Sequence, residues 1–593
     1  MVKKEILWLT IFGVALWLVL AACSPGATAP APAPAESEAE EATAPEPAPA
    51  ESEAEEAAAP EPAPAESEAE EAAAPEPAPA ESEAEAEAES SAGPPQGGTI
   101  IVGLQAEPTT LDTQQLSDYN SSRAAYGIYD ALLRFQDEST EVEPGLAESW
   151  EISDDGLVYT LHLRQGVKFH DGTDFNAEVV KFNLERQIDV NHPFHDTGEF
   201  AYAEFTWGTV DQVEVVDDFT VKITLKESFA PFLNHLAMHP AGMLSPAAVE
   251  QFGRDISSNP VGTGPFKFVS WTPGVEVVLE KNQDYWRGAP NVDQIIYRPI
   301  IEDQSRLTEF EAGGINFMVN IPPDDLSRLK EDARFTIVEQ PGMHTWWVAF
   351  NQSRPPFDDS RVRQAMNYAV NKPAIVDNLL QGTGVLAVNP LPPVVWSYTD
   401  DLQTYDYNPE RAKELLAEAG YPEGFTCSFW VPESGSGMQR PVPMGTAIQA
   451  DLKAVGVDCE IQTFEWGSYL DKVIVPPEEA EYDMFEMSWI GDNGDPDNHL
   501  YILLSGAQFP PNGYNMGFYN NPEVDAILQE ARTTLDRAER TELYQQAQKL
   551  IAADPPWIMI DHETQIVVMD QKVKNFKLHP TGPFRFEDVW IEE

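Results

Sequence analysis

Asn408-Pro409-Glu410-Arg411-Ala412-Lys413-Glu414-Leu415-Leu416-Ala417-Glu418-Ala419-Gly420-Tyr421-Pro422 carries a complete set of helix start and stop signals. The Asn408 side chain suits an N-cap, and Pro409 suits the first helical position, where no backbone donor is needed. Leu415, Leu416 and Ala419 give the apolar stripe, Gly420 can close the helix, and Pro422 prevents its continuation. Downstream the alternation repeats. A strand is predicted over 425–431, a helix over 444–455 closed by Gly456, and a strand over 457–464. A short helix over 466–472 precedes a strand over 482–489, and Asn521-Pro522 caps a helix carrying Val524, Ile527, Leu528 and Ala531. Strands alternating with helices are βαβ units, so the fold class is α/β with a substantially parallel sheet.

Upstream the texture is β-rich. Residues 98–104 form a short apolar run consistent with a buried strand. Runs at 146–152 and 158–163 flank Asp154-Asp155-Gly156, a hairpin signal, and alternating runs recur at 212–216 and 220–225 around Asp217-Asp218.

The N-terminal end has a different character. Lys3 and Lys4 precede an apolar run over 6–20, too short for a membrane span of about 20 residues. It ends in Leu20-Ala21-Ala22-Cys23, a lipobox pattern, so residues 1–23 are expected to be a lipoprotein signal with the Cys23 thiol as lipid acceptor. Residues 24–96 repeat Pro-Ala-Pro-Ala-Glu-Ser-Glu-Ala-Glu from positions 32, 47, 62 and 77. They contain 20 Glu, no Lys or Arg, and no large apolar side chain. Nothing there can offset the entropy of ordering, and a solenoid would need an apolar face per repeat, so a disordered tether is expected. The whole chain has a formal charge of −63. That balance argues against nucleic acid and against docking on anionic lipid. Two further cysteines, Cys427 and Cys459, fall in predicted strands, and a disulfide and two buried thiols both fit.

Two charged loops lie at predicted carboxyl ends of strands, the edge where open α/β sheets bind ligands. Arg440 follows the 425–431 strand, and Asp492 follows the 482–489 strand. A guanidinium can hold a carboxylate in a bidentate pair, and a carboxylate can hold an ammonium; together they suit a zwitterion such as a short peptide.

Several ordered blocks carry a resemblance. They are Pro144-Gly145-Leu146-Ala147-Glu148-Ser149-Trp150, Leu163-Arg164-Gln165-Gly166-Val167-Lys168-Phe169-His170-Asp171-Gly172, and Asn259-Pro260-Val261-Gly262-Thr263-Gly264-Pro265-Phe266. Pro356-Phe357-Asp358-Asp359-Ser360-Arg361-Val362-Arg363-Gln364-Ala365 and Trp489-Ile490-Gly491-Asp492-Asn493-Gly494-Asp495-Pro496-Asp497-Asn498 complete the set. Residues 97–593 resemble the family 5 extracellular solute-binding proteins, the dipeptide-binding branch above all. The resemblance implies a bilobal, three-domain, type II periplasmic-binding-protein-like fold that closes on its ligand and presents it to an ABC permease with cytoplasmic ATPases. Domain I would combine 97–128, 260–345 and 562–593; domain II would be 129–259 and domain III 346–561. By the same resemblance Asp492 would hold a peptide ammonium and Arg440, in Gln439-Arg440-Pro441, the terminal carboxylate. The loop 433–438 is longer than in those relatives.

Other readings are weighed on the same residues. Asp492, Asp495 and Asp497 suggest a calcium loop, but the downstream Glu is missing and Pro496 fits poorly. His170-Asp171-Gly172 has no accompanying nucleophile, oxyanion motif or metal-ligand pair and reads as a turn. No cofactor, no metal and no catalytic residue is expected. Trp346 and Trp489 are candidates to line a ligand cleft, with Trp347 and Trp430 as core. The expectation is therefore a monomeric, lipid-anchored, extracytoplasmic binding protein for short peptides, not an enzyme. Nickel complexes, haem or oligosaccharides are alternative ligands, and a receptor or chaperone-like role is the alternative of another class.

Overall fold

The computed structural model describes residues 94–435 and 438–593. The expectations for the signal, Cys23 and the tether therefore lie outside the described residues, as do Ser436 and Gly437.

Two long strands organise the molecule. Phe335–Phe350 and Trp557–Asp570 pair antiparallel along most of their length, with register shifts between Pro341 and Thr345 and between Trp346 and Trp347. An eleven-stranded sheet extends from them in both directions. On one side lie Met484–Ile490, Phe425–Pro432 and Val457–Phe464; on the other lie Phe317–Val319, Thr99–Leu104, Gln294–Pro299, Glu276–Lys281 and Phe266–Thr272. Gly384–Leu386 pairs with the Trp557–Asp570 strand from outside this order.

The expectation of a substantially parallel sheet needs correction. Parallel pairing is confined to Thr99–Leu104 with its two neighbours and Phe425–Pro432 with its two neighbours. The other pairings in this sheet are antiparallel: the two long strands run opposite to their neighbours, and Phe266–Thr272, Glu276–Lys281 and Gln294–Pro299 form a meander. The βαβ signals describe only the segments between crossover helices. A separate four-stranded antiparallel sheet is built from Ala147–Ile152, Val158–Leu163, Thr220–Leu225 and Val210–Asp217. Its first hairpin turns at Gly156, where φ is +69°, the left-handed region that glycine enters without a Cβ clash.

Local signals act as the sequence implies. Asn408 Oδ1 accepts from Arg411 N at 3.0 Å and caps the helix Pro409–Glu418; Asn521 caps Pro522–Thr533 in the same way. The helix expected from 444 begins three residues earlier, as Pro441–Ala454, because two prolines occupy its first turn at no hydrogen-bonding cost. Cys427 and Cys459 stand opposite each other in parallel register, Cα atoms 4.3 Å apart, joined as a disulfide.

Most of the family-like blocks prove to be packing devices. A Cβ on Gly262 would lie 2.1 Å from Ile128 O, and one on Gly264 would lie 2.6 Å from Gly127 O. The Gly-Thr-Gly segment thus lets two backbones touch, while Thr263 donates to Asp130 at 2.8 Å. Arg363 is 4 % exposed and donates to Phe357 O and Pro555 O, clamping its helix to the chain before Trp557. His170-Asp171-Gly172 is a turn, in which Asp171 accepts from Thr173 and from the Ser245 hydroxyl.

Candidate ligand-binding site

The strand Met484–Ile490 delivers Asp492 to a turn closed by Gly494 at φ +65°. Asn498 Nδ2 donates to Asp492 Oδ1 at 3.0 Å, and the Tyr202 hydroxyl also hydrogen-bonds the carboxyl group. Asn498 is itself fixed by Trp489, whose Nε1 donates to Asn498 Oδ1 at 2.6 Å. The half-buried Trp489 ring leans on Tyr514, centroids 5.1 Å apart. Among the described residues no arginine or lysine pairs with Asp492. Burial pushes its carboxyl group up to about 7, against three hydrogen bonds that favour the anion, from Tyr202, its own backbone N–H and Asn498.

The rest of the turn is anchored. Asp495 caps the helix Pro496–Leu504 and takes a bidentate pair from Arg540, at 3.0 and 2.8 Å. Asn234 Nδ2 donates to Asn493 O at 2.8 Å and ties the turn to the β-rich segment.

Asp492 forms one wall of a cavity of about 70 Å³ with Tyr119, Ser122, Tyr126, Tyr202 and His239. That is roughly half of the ~150 Å³ that accommodates benzene, so the walls must part to admit a peptide. Across the helix Tyr119–Ala125 lies a smaller cavity, about 30 Å³, walled by Arg123, Asn320, Gln439, Glu563 and Gln565. Arg123 is 8 % exposed; its guanidinium lies 4.9 Å from the Phe584 ring centre and donates to Asn320 Oδ1 at 3.2 Å. Its Nε and Glu563 Oε2 are buried without a hydrogen-bond partner among the described residues. Burial raises Glu563 to about 7, with Arg123 opposing. Asp561, two residues earlier on the same strand, rises to about 8 through burial and then repulsion from Glu563.

The four residues singled out from sequence thus separate. Asp492 and Trp489 belong to one hydrogen-bonded unit. Trp346 lies in the core beside Val348 and Phe350, 2 % exposed, its Nε1 without a partner among the described residues. Arg440 is the N-cap of Pro441–Ala454 at φ +55°, and its guanidinium is ion-paired with Asp324, which also accepts from Gln381 at 2.6 Å. Arg440 is not a wall of the Asp492 cavity; its neighbour Gln439 lines the smaller one. Trp347 and Trp430 are buried, Trp347 stacking on Trp557 with centroids 4.2 Å apart. Sequence reasoning missed Tyr119, Arg123, Tyr202, Asp561 and Glu563. Only the last pair left a trace, as Asp561-His562-Glu563 interrupting the apolar strand that runs from Trp557 to Asp570. No group of three potential ligands able to hold a metal ion occurs among the described residues.

A mixed α/β fold of this topology, with a charged cavity at the carboxyl end of a parallel strand pair, is that of a periplasmic binding protein. Residues 141–511 match the model of the bacterial extracellular solute-binding proteins, family 5 middle, and the chain belongs to this family. It is 38 % identical over 492 residues to haem-binding protein A of Haemophilus influenzae, covering 80 % of this chain and 88 % of that protein. It is 35 % identical over 520 residues to the dipeptide-binding protein of Escherichia coli, covering 84 % and 95 %. Among solved structures it resembles the ABC transporter-associated periplasmic binding protein DppA from Helicobacter pylori in complex with peptide STSA. That match has a TM-score of 0.74 and 32 % identity, and covers 84 % of this chain and 99 % of the other. Membership of an extracellular solute-binding family places the protein outside the cytoplasm, and no helix among the described residues is long and apolar enough to cross a membrane.

Proposed function

We propose that the protein captures short peptides, dipeptides foremost, and hands them to the permease of an ABC importer. The observation that carries this reading is Asp492: a largely enclosed carboxyl group, oriented by Tyr202 and Asn498, with no cation to neutralise it among the described residues. A peptide ammonium is the missing partner, and its arrival restores the anion that burial disfavours. Arg440 takes the terminal carboxylate after releasing Asp324, an exchange of one carboxylate for another on the same guanidinium. Trp489 fixes the ammonium end through Asn498, and Trp346 backs the cleft from the core. The chain divides into the three domains set out above, joined by the two long strands near 345 and 561. It acts as a monomer without cofactor or catalysis, lipid-anchored at Cys23, with residues 24–96 as tether.

Native mass spectrometry of the purified protein tests the ligand class, since a co-purified peptide reports its own mass. Titration with a free dipeptide and with haem then separates the two relatives' ligands. Dipeptide binding without haem binding supports the reading; haem binding without dipeptide binding overturns it. Incubation with peptides should return them uncleaved. Replacing Cys23 by Ser should abolish detergent-phase partitioning, and unchanged partitioning would contradict the anchor.

A further inference from the structure

A second cavity, of about 190 Å³, has no wall residue in common with the peptide cleft. Its floor includes Lys372 and Met559, and its mouth is framed by Leu386, Val388 and Tyr407. Those three mouth residues are 38, 37 and 42 % exposed, among the few large apolar side chains the described surface shows to water. A concave, mainly apolar space with a few convergent polar groups, here Lys372 and Asp406, is the form that small-molecule sites take.

Lys372 is the anomaly. It is only 8 % exposed, yet among the described residues its ammonium has neither an ion-pair partner within 4.0 Å nor a hydrogen bond. Its Nζ is not among the fully enclosed polar atoms, so water reaches it through the cavity, and a ligand that displaces this water must replace its interactions with the ammonium. Burial lowers the Lys372 ammonium to about 8, and the carboxylate of Asp406 acts in the opposite direction. Asp406 also lines the cavity but is exposed to solvent, so a ligand carboxylate on Lys372 competes with a solvated carboxylate rather than with a buried ion pair. An alkyl or aryl tail would cover the apolar wall, and a single negative charge would satisfy the ammonium. A phosphate would bring more charge than one cation can neutralise. The volume slightly exceeds the ~150 Å³ that holds benzene in an engineered apolar cavity, which limits the tail to a few carbons or one ring.

We propose that this cavity binds a small organic monocarboxylate with a compact apolar tail, its carboxylate seated on Lys372 Nζ. The site is independent of the peptide cleft and of the reading given to it. Calorimetry of the full chain with hexanoate and with hexanamide, which share shape but not charge, tests it. Hexanoate is expected to bind at least about tenfold more tightly than hexanamide. Lys372→Met should abolish that preference. Leu386→Trp, at a position exposed enough to leave the core intact, should block both compounds by filling the mouth; it carries the test if Lys372→Met does not fold. Equal affinity for acid and amide, no hexanoate binding at millimolar concentration, or hexanoate binding unchanged in either folded variant would overturn the proposal.

Discussion

The turn from Ile490 to Asn498 has two sides that treat the same chemical group in opposite ways. On its buried side Asp495 is 1 % exposed and locked to Arg540 by two hydrogen bonds, with Tyr544 satisfying a further guanidinium donor. On its cavity side, three residues away, Asp492 has oriented neutral donors and no cation among the described residues. The first arrangement is what a chain does with a carboxylate it needs for its own fold. The second leaves a favourable interaction unmade until something else arrives. A charge with its partner inside the molecule is architecture, and one on a cavity wall whose partner is missing among the described residues points to a ligand.

The largest effect expected from this contrast is on stability. Asp495→Asn strands a buried guanidinium and should cost about 3–5 kcal/mol of unfolding free energy. Asp492→Asn removes a carboxyl group that burial already disfavours, and should cost nothing or stabilise. Urea denaturation of both variants checks this; equal losses would erase the distinction between the two sides.

The pH dependence of stability sharpens it. Asp492 and Glu563 rise to about 7 and Asp561 to about 8, from ordinary values near 4. At these three positions the folded protein binds more protons than the unfolded chain, so they make stability fall as pH rises through 7 and 8; His170, His235, His239 and His499, lowered by burial to about 4, and His562, lowered to about 3, act in the opposite direction below about 6.5. Carboxylates held low by partners, such as Asp332 at about 2, act only at more acidic pH. Thermal denaturation of ligand-free protein should therefore give a lower melting temperature at pH 8 than at pH 6.5. Asp561→Asn with Glu563→Gln should flatten the slope, and a melting temperature that climbs over this range would contradict the assignment.

A smaller effect separates the two cations. The half-exposed Arg440–Asp324 pair is worth about 1 kcal/mol or less. Arg440→Ala should weaken binding of a free dipeptide roughly fivefold and spare its C-terminal amide. Asp324→Asn, which frees the guanidinium, should tighten binding slightly. If Arg440→Ala changes neither ligand while Arg123→Met discriminates between them, the carboxylate belongs to Arg123. Smallest of all, deleting residues 24–96 should leave affinity and melting temperature unchanged in solution.

Much of this was legible in the sequence, for identifiable reasons. Helix caps at Asn408 and Asn521, the Asp154-Asp155-Gly156 hairpin and the strand that leads to Asp492 depend on neighbours within a few residues. Sheet direction was misread, because the antiparallel course of the long strands depends on pairings such as Trp347 with Met487, far apart in the chain. The same limit governs the site. The position of Asp492 follows from its strand, but Tyr202 reaches it from a segment nearly three hundred residues away. Arg440 was placed correctly at a strand end, yet its pairing with Asp324 could not be read, since Asp324 sits on a different part of the chain. Trp346 looked like a cleft residue by type; sheet burial made it core.

The account rests on Asp492 being left for an ammonium, and one calorimetric comparison addresses that directly. Wild-type protein and Asp492→Asn are each titrated with a dipeptide and with its N-acetyl derivative. The account predicts that wild type binds the free dipeptide at least about tenfold more tightly than Asp492→Asn does, and that the two proteins bind the acetylated peptide with nearly equal, weaker affinity. Equal losses for free and acetylated peptides, or an undiminished affinity of Asp492→Asn for the free dipeptide, would contradict it.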